Sequence, residues 1–355
     1  MPGEIVIITA AREIRNKMPS GGHVRPTPPD FVVPYSALRF PPGLINWNDT
    51  LRFTEADLAH ALFVTGRAPG DQARYGALSV WEFLHRTTLI PAYVRRRPYG
   101  ELVRSELVQL LDRSELVGVS YALGMALTAI FCRIQLGATY LMHADRYADQ
   151  YQLVFNATTR RRADLIGPTA NGWIVAEAKG RSRTPEAALR TRMEEQKRSV
   201  ISVQGQTPWL TLGCVAYFPD PSRGIHVDAY DPSKDAEQTV RYDEIDLDRY
   251  LFAYYLPFVR AIDFGESTDS QADSDVIEAA SFGPVGLTVG LLRPIAELTR
   301  EYLGHQNMSG YAQRIQEILA EQAPSQNLDT AFPDGSVIAT RWIEAIQARD
   351  VWTEP

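Results

Sequence analysis

Between Tyr151 and Tyr217 the apolar positions fall into short runs. Tyr151–Asn156, Arg162–Ile166 and Trp173–Lys179 are rich in Val, Ile and aromatic residues and bounded by polar or Gly/Pro punctuation, which predicts three strands. Trp173 to Ala178 is apolar at nearly every position, as expected of a central strand covered on both faces. The connection Gly167–Gly172 holds Pro168 and an Asn-Gly pair and predicts a turn. Upstream, Leu116, Val119, Leu123, Leu127, Ile130 and Ile134 recur at spacings of three and four, the longest helical signal in the chain. Ser114 is its expected N-cap and Gly137 its stop, and Gly118 and Gly124 leave room for close packing. Downstream come an Arg-rich amphipathic segment, TPEAALRTRMEEQKRSVISV, and an apolar run, WLTLGCVAYF. The order is helix, three strands, helix, strand.

The flanks read differently. Glu4–Ala11 resembles a strand, and prolines at 19, 26, 28, 29, 34, 41 and 42 predict an extended, loop-dominated stretch. Thr54 is the expected N-cap of a helix over EADLAHALFVTG that stops at Gly66, with a second short helix over Gly76–Arg86. Beyond Pro219, short strands or loops rich in Asp precede an apolar helix, LFAYYLPFVRAI. Phe264–Ser281 reads as a loop. Val285–Leu303, interrupted at Pro294, and Tyr311–Ala320 read as helices, and PDGSVIATRW as a hairpin strand. This gives three regions: 1–110, 111–220 and 221–355.

Charge sharpens the picture. The 355 residues carry a net charge of -7, which excludes a general nucleic-acid-coating protein. Yet Thr158 to Val200 holds ten Arg or Lys against five acids. A basic island around strand carboxylates is the sign expected where a polyanion approaches a metal site. Cys132 and Cys214 lie inside apolar runs and the six histidines show no ligand spacing, so neither a disulfide framework nor a zinc site is implied. The N-terminus lacks the pattern of a signal peptide, and no uninterrupted apolar run reaches about 18 residues, so the expectation is a cytoplasmic chain with no membrane span.

Side chains alternate along a strand, so Glu177 and Lys179 share a face while Ala176 and Ala178 point the other way, where small residues let a helix approach. If Ile166 pairs with Trp173, Asp164 lies opposite Val175 with Glu177 as its diagonal neighbour, and two carboxylates converge on one cation. A slip of one residue would break that arrangement. Three ionisable residues at the end of an apolar hairpin call for pairing or a metal.

With these residues in this order, the segment from Asp112 to Phe218 resembles the PD-(D/E)xK nuclease superfamily, whose motif is an acid on the second core strand and (D/E)-x-K on the third. Asp164 in RADLIG matches the first part and Glu177-Ala178-Lys179 in VAEAKG the second; Ala163 stands where the family name has Pro. The resemblance implies an α/β, restriction-endonuclease-like core, a mixed sheet flanked by helices, with N-terminal and C-terminal α+β extensions. It implies further catalytic positions at Glu115 on the first helix and Gln196 on the helix after the third strand. It also implies Mg²⁺ or Mn²⁺ on Asp164, Glu177 and the backbone carbonyl of Ala178, and DNA phosphates on Arg160, Arg161, Arg162, Arg181 and Arg183.

The resulting expectation is a divalent-metal-dependent nuclease that hydrolyses DNA, in bacterial (antiviral) defence or DNA processing. The alternative is a non-catalytic nucleic-acid- or partner-binding subunit on the same fold. The acidity lies mostly between Asp220 and Glu278, making 221–355 an acidic, mostly helical region in this reading. Because an acidic surface is repelled by DNA and is free to meet a protein, the extensions suggest a homo-oligomer or a protein partner.

Overall fold

The computed structural model describes residues 31–66, 77–144, 163–186, 188–189, 193, 202–203, 208–220, 223–230, 241–242, 247–267, 276–305, 307–322 and 331–347. The predicted strands Glu4–Ala11 and Tyr151–Asn156 lie outside them. Chain order begins with β1 (Phe31–Leu38), β2 (Asn48–Phe53), α1 (Glu55–Val64), α2 (Ala77–Thr87) and α3 (Leu89–Tyr93). A small hairpin, β3 (Val94–Arg96) and β4 (Leu102–Arg104), leads to the long helix α4 (Arg113–Leu136). Then come β5 (Met142–His143), β6 (Leu165–Thr169), β7 (Gly172–Arg181), the short β8 (Ser202–Val203), β9 (Leu210–Tyr217), β10 (His226–Tyr230) and β11 (Arg241–Tyr242). The remainder is α5 (Leu247–Phe264), β12 (Glu266–Ser267), β13 (Ile277–Phe282), β14 (Leu287–Leu292), α6 (Arg293–Glu301), α7 (Tyr311–Gln322), β15 (Ser336–Thr340) and α8 (Ile343–Gln347).

A seven-stranded mixed sheet, in the order β2-β1-β10-β9-β7-β6-β5, is flanked by helices and makes the chain an α/β protein. β7 and β9 run parallel, as do β1 and β10; the other neighbours are antiparallel. The sheet takes two strands from residues 1–110, four from 111–220 and one from 221–355. β1 corrects the reading of the Pro-rich stretch as loop: its burial alternates along FVVPYSAL, and Pro34 falls at an exposed position. A second antiparallel sheet, β12-β13-β14-β15, packs against α5.

Helix α4 positions the site. Asp112, not Ser114, is its N-cap, accepting from the backbone N–H groups of Ser114 and Glu115 at 2.6 and 2.9 Å, and Gly137 ends it in the left-handed conformation at φ 70°. From Ala122 to Cys132 every residue is buried. The helix is long and apolar enough to cross a membrane by length and composition, but 72% of its most apolar window is buried inside the fold. Its contact with β7 is a backbone-on-backbone approach. A Cβ on Gly180 would stand 1.6 Å from the Ser120 carbonyl oxygen, and one on Gly124 would stand 2.5 Å from the Gly180 nitrogen. Gly118, expected to share this role, faces open space. Because backbone cannot rotate away, Gly180→Ala is expected to cost about 3 kcal/mol. Thermal denaturation checks this, and an unchanged melting temperature would refute so close a seat for the helix.

Candidate metal and phosphodiester site

The hairpin β6–β7 carries the site. Its pairs are Leu165 with Ala176, Ile166 with Val175, Gly167 with Ile174, Pro168 with Trp173 and Thr169 with Gly172. The expected pairing of Ile166 with Trp173 is therefore off by two residues. The turn is only Ala170–Asn171, closed by a bond from Thr169 Oγ1 to the Gly172 carbonyl at 2.7 Å and one from the Asn171 N–H to Thr169 Oγ1 at 3.2 Å. Gly167 and Pro168 stay in the strand, since β5 pairs only with Leu165 and Ile166 and no neighbour there needs the missing Pro N–H. A two-residue shift keeps every side chain on its predicted face. It moves Asp164 from the diagonal of Glu177 to directly opposite it.

Gly180 faces α4, so Ala176 and Ala178 face it too, and Glu177 and Lys179 project from the other side. Lys179 pairs with Val215 of β9, against which Leu189 and Met193 of the amphipathic segment pack. Asp164 is held at both ends. Its carbonyl accepts the Ala144 N–H at 2.8 Å, and its Oδ2 accepts the Ala178 N–H at 2.9 Å and Lys179 Nζ at 3.4 Å. Lys179 Nζ also donates to Glu177 Oε1. Glu177 is fully buried, and its Oε2 has no hydrogen-bond partner.

Two carboxylates and one ammonium give this nest a formal charge of −1. Burial, and then the neighbouring Asp164, push the Glu177 carboxyl up to about 7, against the opposing pull of Lys179. Burial also disfavours the charged form of Lys179, but Asp164 and Glu177 outweigh it and raise its pKa, so the ammonium stays protonated. The donor set fits a hard divalent cation: two carboxylates, one with an orphaned buried oxygen, suit an ion that keeps waters in its remaining positions. Among the described residues no group of three or more His, Cys, Asp or Glu side chains gathers to hold a metal.

The other expected site residues fare differently. Glu115 is not brought to the nest. Its Oε2 accepts the Asp112 N–H at 3.1 Å in a capping box, and it sits on the helix covering the opposite face of β7. Ala178 donates its N–H to Asp164 Oδ2 at 2.9 Å. Arg181 lies on the Glu177 face by alternation, with Nη1 donating to the Gly180 carbonyl at 2.9 Å. Arg183 is exposed, 4.0 Å from Glu186. Arg160, Arg161, Arg162 and Gln196 lie outside the described residues.

Sequence reasoning missed a second polar cluster on this face, across β9. Asp228 is buried. It accepts from Tyr230 Oη at 2.8 Å and stands 3.3 Å from His226 Nε2, which is 3.2 Å from Ser36 Oγ. The alternation of HVDAY was its only signal. Both partners meet the same imidazole nitrogen, so no relay from Ser36 through His226 to Asp228 is formed. No protein-family model, curated protein or solved structure matches this chain.

Proposed function

We propose that the chain is a divalent-metal-dependent nuclease of the PD-(D/E)xK type acting on DNA. The observation that carries the reading is the convergence of Asp164, Glu177 and Lys179 at the end of a central hairpin, with the buried Glu177 Oε2 unpaired. The order of α4, the antiparallel β5–β6–β7 and the parallel β9 also supports it, with the predicted first strand Tyr151–Asn156 and most of the helix after the third strand lying outside the described residues.

Asp164 and Glu177 would hold Mg²⁺ or Mn²⁺, which would acidify a bound water and offset charge on the phosphoryl oxygens. Asp164 is oriented by the Ala178 N–H, so its carboxylate is in place before any ligand arrives. Lys179 keeps its proton and places a compact positive charge beside both carboxylates, suited to orienting a water and neutralising phosphate. Arg181 and Arg183, one and two alternations beyond Lys179, extend that positive charge along the exit of the strand.

One observation favours the second reading, a non-catalytic nucleic-acid-binding subunit. Lys179 already pairs with both carboxylates, so the three residues can be a closed ion-pair network. Incubating the purified chain with linear, circular and single-stranded DNA in Mg²⁺, Mn²⁺ or EDTA separates the two. Cleavage that needs the metal and falls to background in Asp164→Ala and Lys179→Ala, with the fold intact by circular dichroism, is the expected result. Full activity in either variant would remove that residue from the mechanism, and DNA binding without metal-dependent cleavage would establish the second reading.

A further inference from the structure

The β3–β4 hairpin ends in a displayed aromatic ring. Tyr99 is 90% exposed, the most exposed large hydrophobic residue among the described residues. The turn beneath it is tightly fixed. The Gly100 N–H donates to the Arg97 carbonyl at 2.9 Å, the Arg97 N–H to the Glu101 carbonyl at 3.0 Å, and Arg97 Nη1 pairs with Glu101 at 3.2 Å. Gly100, at φ +89°, passes its carbonyl to the Val32 N–H at 2.7 Å, tying the turn to the central sheet. Pro98 stiffens it further. A ring on so fixed a stem loses little conformational freedom on meeting a flat partner.

The hairpin also stands at the end of the sheet where β7 and β9 finish. The Ile225 N–H donates to the Leu102 carbonyl at 2.9 Å, and the Arg104 guanidinium lies 4.4 Å over the Phe218 ring. The Phe218 N–H in turn donates to the Arg181 carbonyl at 3.4 Å. Arg96, Arg97, Arg104, Arg181, Arg183 and Arg223 lie on or beside these segments, against Glu101, Glu106, Glu186 and Asp220, with Arg97 paired to Glu101, Arg183 to Glu186 and Arg223 to Asp220. An excess of arginine with an outstanding aromatic is the pairing that receives a polyanion carrying planar faces.

We infer that this hairpin is a nucleic-acid contact outside the nuclease-like core, with Tyr99 stacking on an unpaired base and the surrounding arginines holding the backbone that leads to Lys179. The inference rests on the nucleic-acid reading above. Single strands are the favoured ligand, since a base face must be open to stack.

The test is fluorescence anisotropy of a labelled ~20-nucleotide single strand with the full chain in EDTA, where no cleavage enters. Tyr99→Ala is expected to weaken binding about tenfold, and Tyr99→Phe to restore it. Arg97→Gln should lower the slope of log affinity against log salt by roughly 0.7, which Tyr99→Ala leaves unchanged. Because Tyr99 is exposed, its variants keep the fold, and thermal denaturation verifies the same for Arg97→Gln, which loses the pair with Glu101. Binding of Tyr99→Ala within twofold of the unaltered chain would overturn the hairpin's role and leave the nuclease reading standing. Absence of any DNA binding by the unaltered chain in EDTA would also overturn the hairpin's role, while the cleavage assay above decides the nuclease reading separately.

Discussion

Glu177→Gln is expected to abolish metal-dependent cleavage and, at the same time, to stabilise the fold at alkaline pH. Below the ordinary carboxylate pKa of 4.5 the side chain is protonated in both folded and unfolded chain and contributes nothing. Between there and about 7 the unfolded chain releases a proton that the fold retains, so stability falls as pH rises; above about 7 the loss is complete. A rise of that size corresponds to about 3 kcal/mol. Glutamine escapes the loss but gives up part of the attraction to Lys179, leaving a gain of roughly 2 kcal/mol at pH 8 and almost none at pH 4. Denaturant melts of both proteins at the two pH values measure it. An equal effect at both would show that burial does not disfavour the Glu177 charge, and added Mg²⁺ should narrow the difference at pH 8 by stabilising only the carboxylate form.

The larger loss of stability is expected away from the site, at Asp334. This residue is fully buried and accepts from His60 Nε2 at 3.0 Å, Tyr254 Oη at 2.5 Å, the Ser336 N–H at 3.0 Å and Ser336 Oγ at 2.7 Å. Its carbonyl takes Tyr255 Oη at 2.8 Å. It thereby ties α1, α5 and β15 into one polar knot, with His60 stacked on Phe332 at 4.1 Å. Burial alone would raise this carboxyl, but the His60 imidazole and the bonds from His60, Tyr254 and Ser336 overcome it and hold it at about 2. Asp334→Ala strands several buried donors and should cost about 3–5 kcal/mol. The pH signature is opposite to that of Glu177. With a depressed pKa, the stabilisation is present above the ordinary carboxylate value near 4 and is lost as pH falls toward 2. Acid titration of the melting temperature should show that loss in the unaltered chain and not in the variant.

Much of the site was legible because it depends on strand alternation. A two-residue error in register left Asp164, Glu177 and Lys179 on one face, where an error of one would have separated the two strands' acids. The error arose because Gly167-Pro168 is turn chemistry in isolation and becomes strand only where β5 is too short to demand an N–H. The same local emphasis hid β1, whose regular alternation was outweighed by the prolines around it. It also turned Leu287–Leu292 into helix: an apolar run alone does not distinguish the two periods, and Pro294 stands in the first turn of α6 rather than interrupting a longer helix. Caps were read well at Thr54 and Gly137, where the signal is local. The approach of Ser36 to His226 and the knot at Asp334 join residues distant in sequence, and beyond the alternation of HVDAY no local pattern announces such meetings.

The parallel pairing of β1 with β10 has a consequence for how the chain is made. Tyr35 finds its partner Val227 only after most of the polypeptide has left the ribosome. Until then the Tyr35–Leu38 part of β1 has an open hydrogen-bonding edge, the kind of edge that recruits foreign strands. Such a pairing closes a very long loop and belongs to the slow, late stage of folding. A fragment ending near residue 220 would keep β7, β9 and the acidic nest, yet expose β9 on the side where β10 should lie. Nascent chains halted there should depend on chaperones, whereas chains extended past Tyr230 should not.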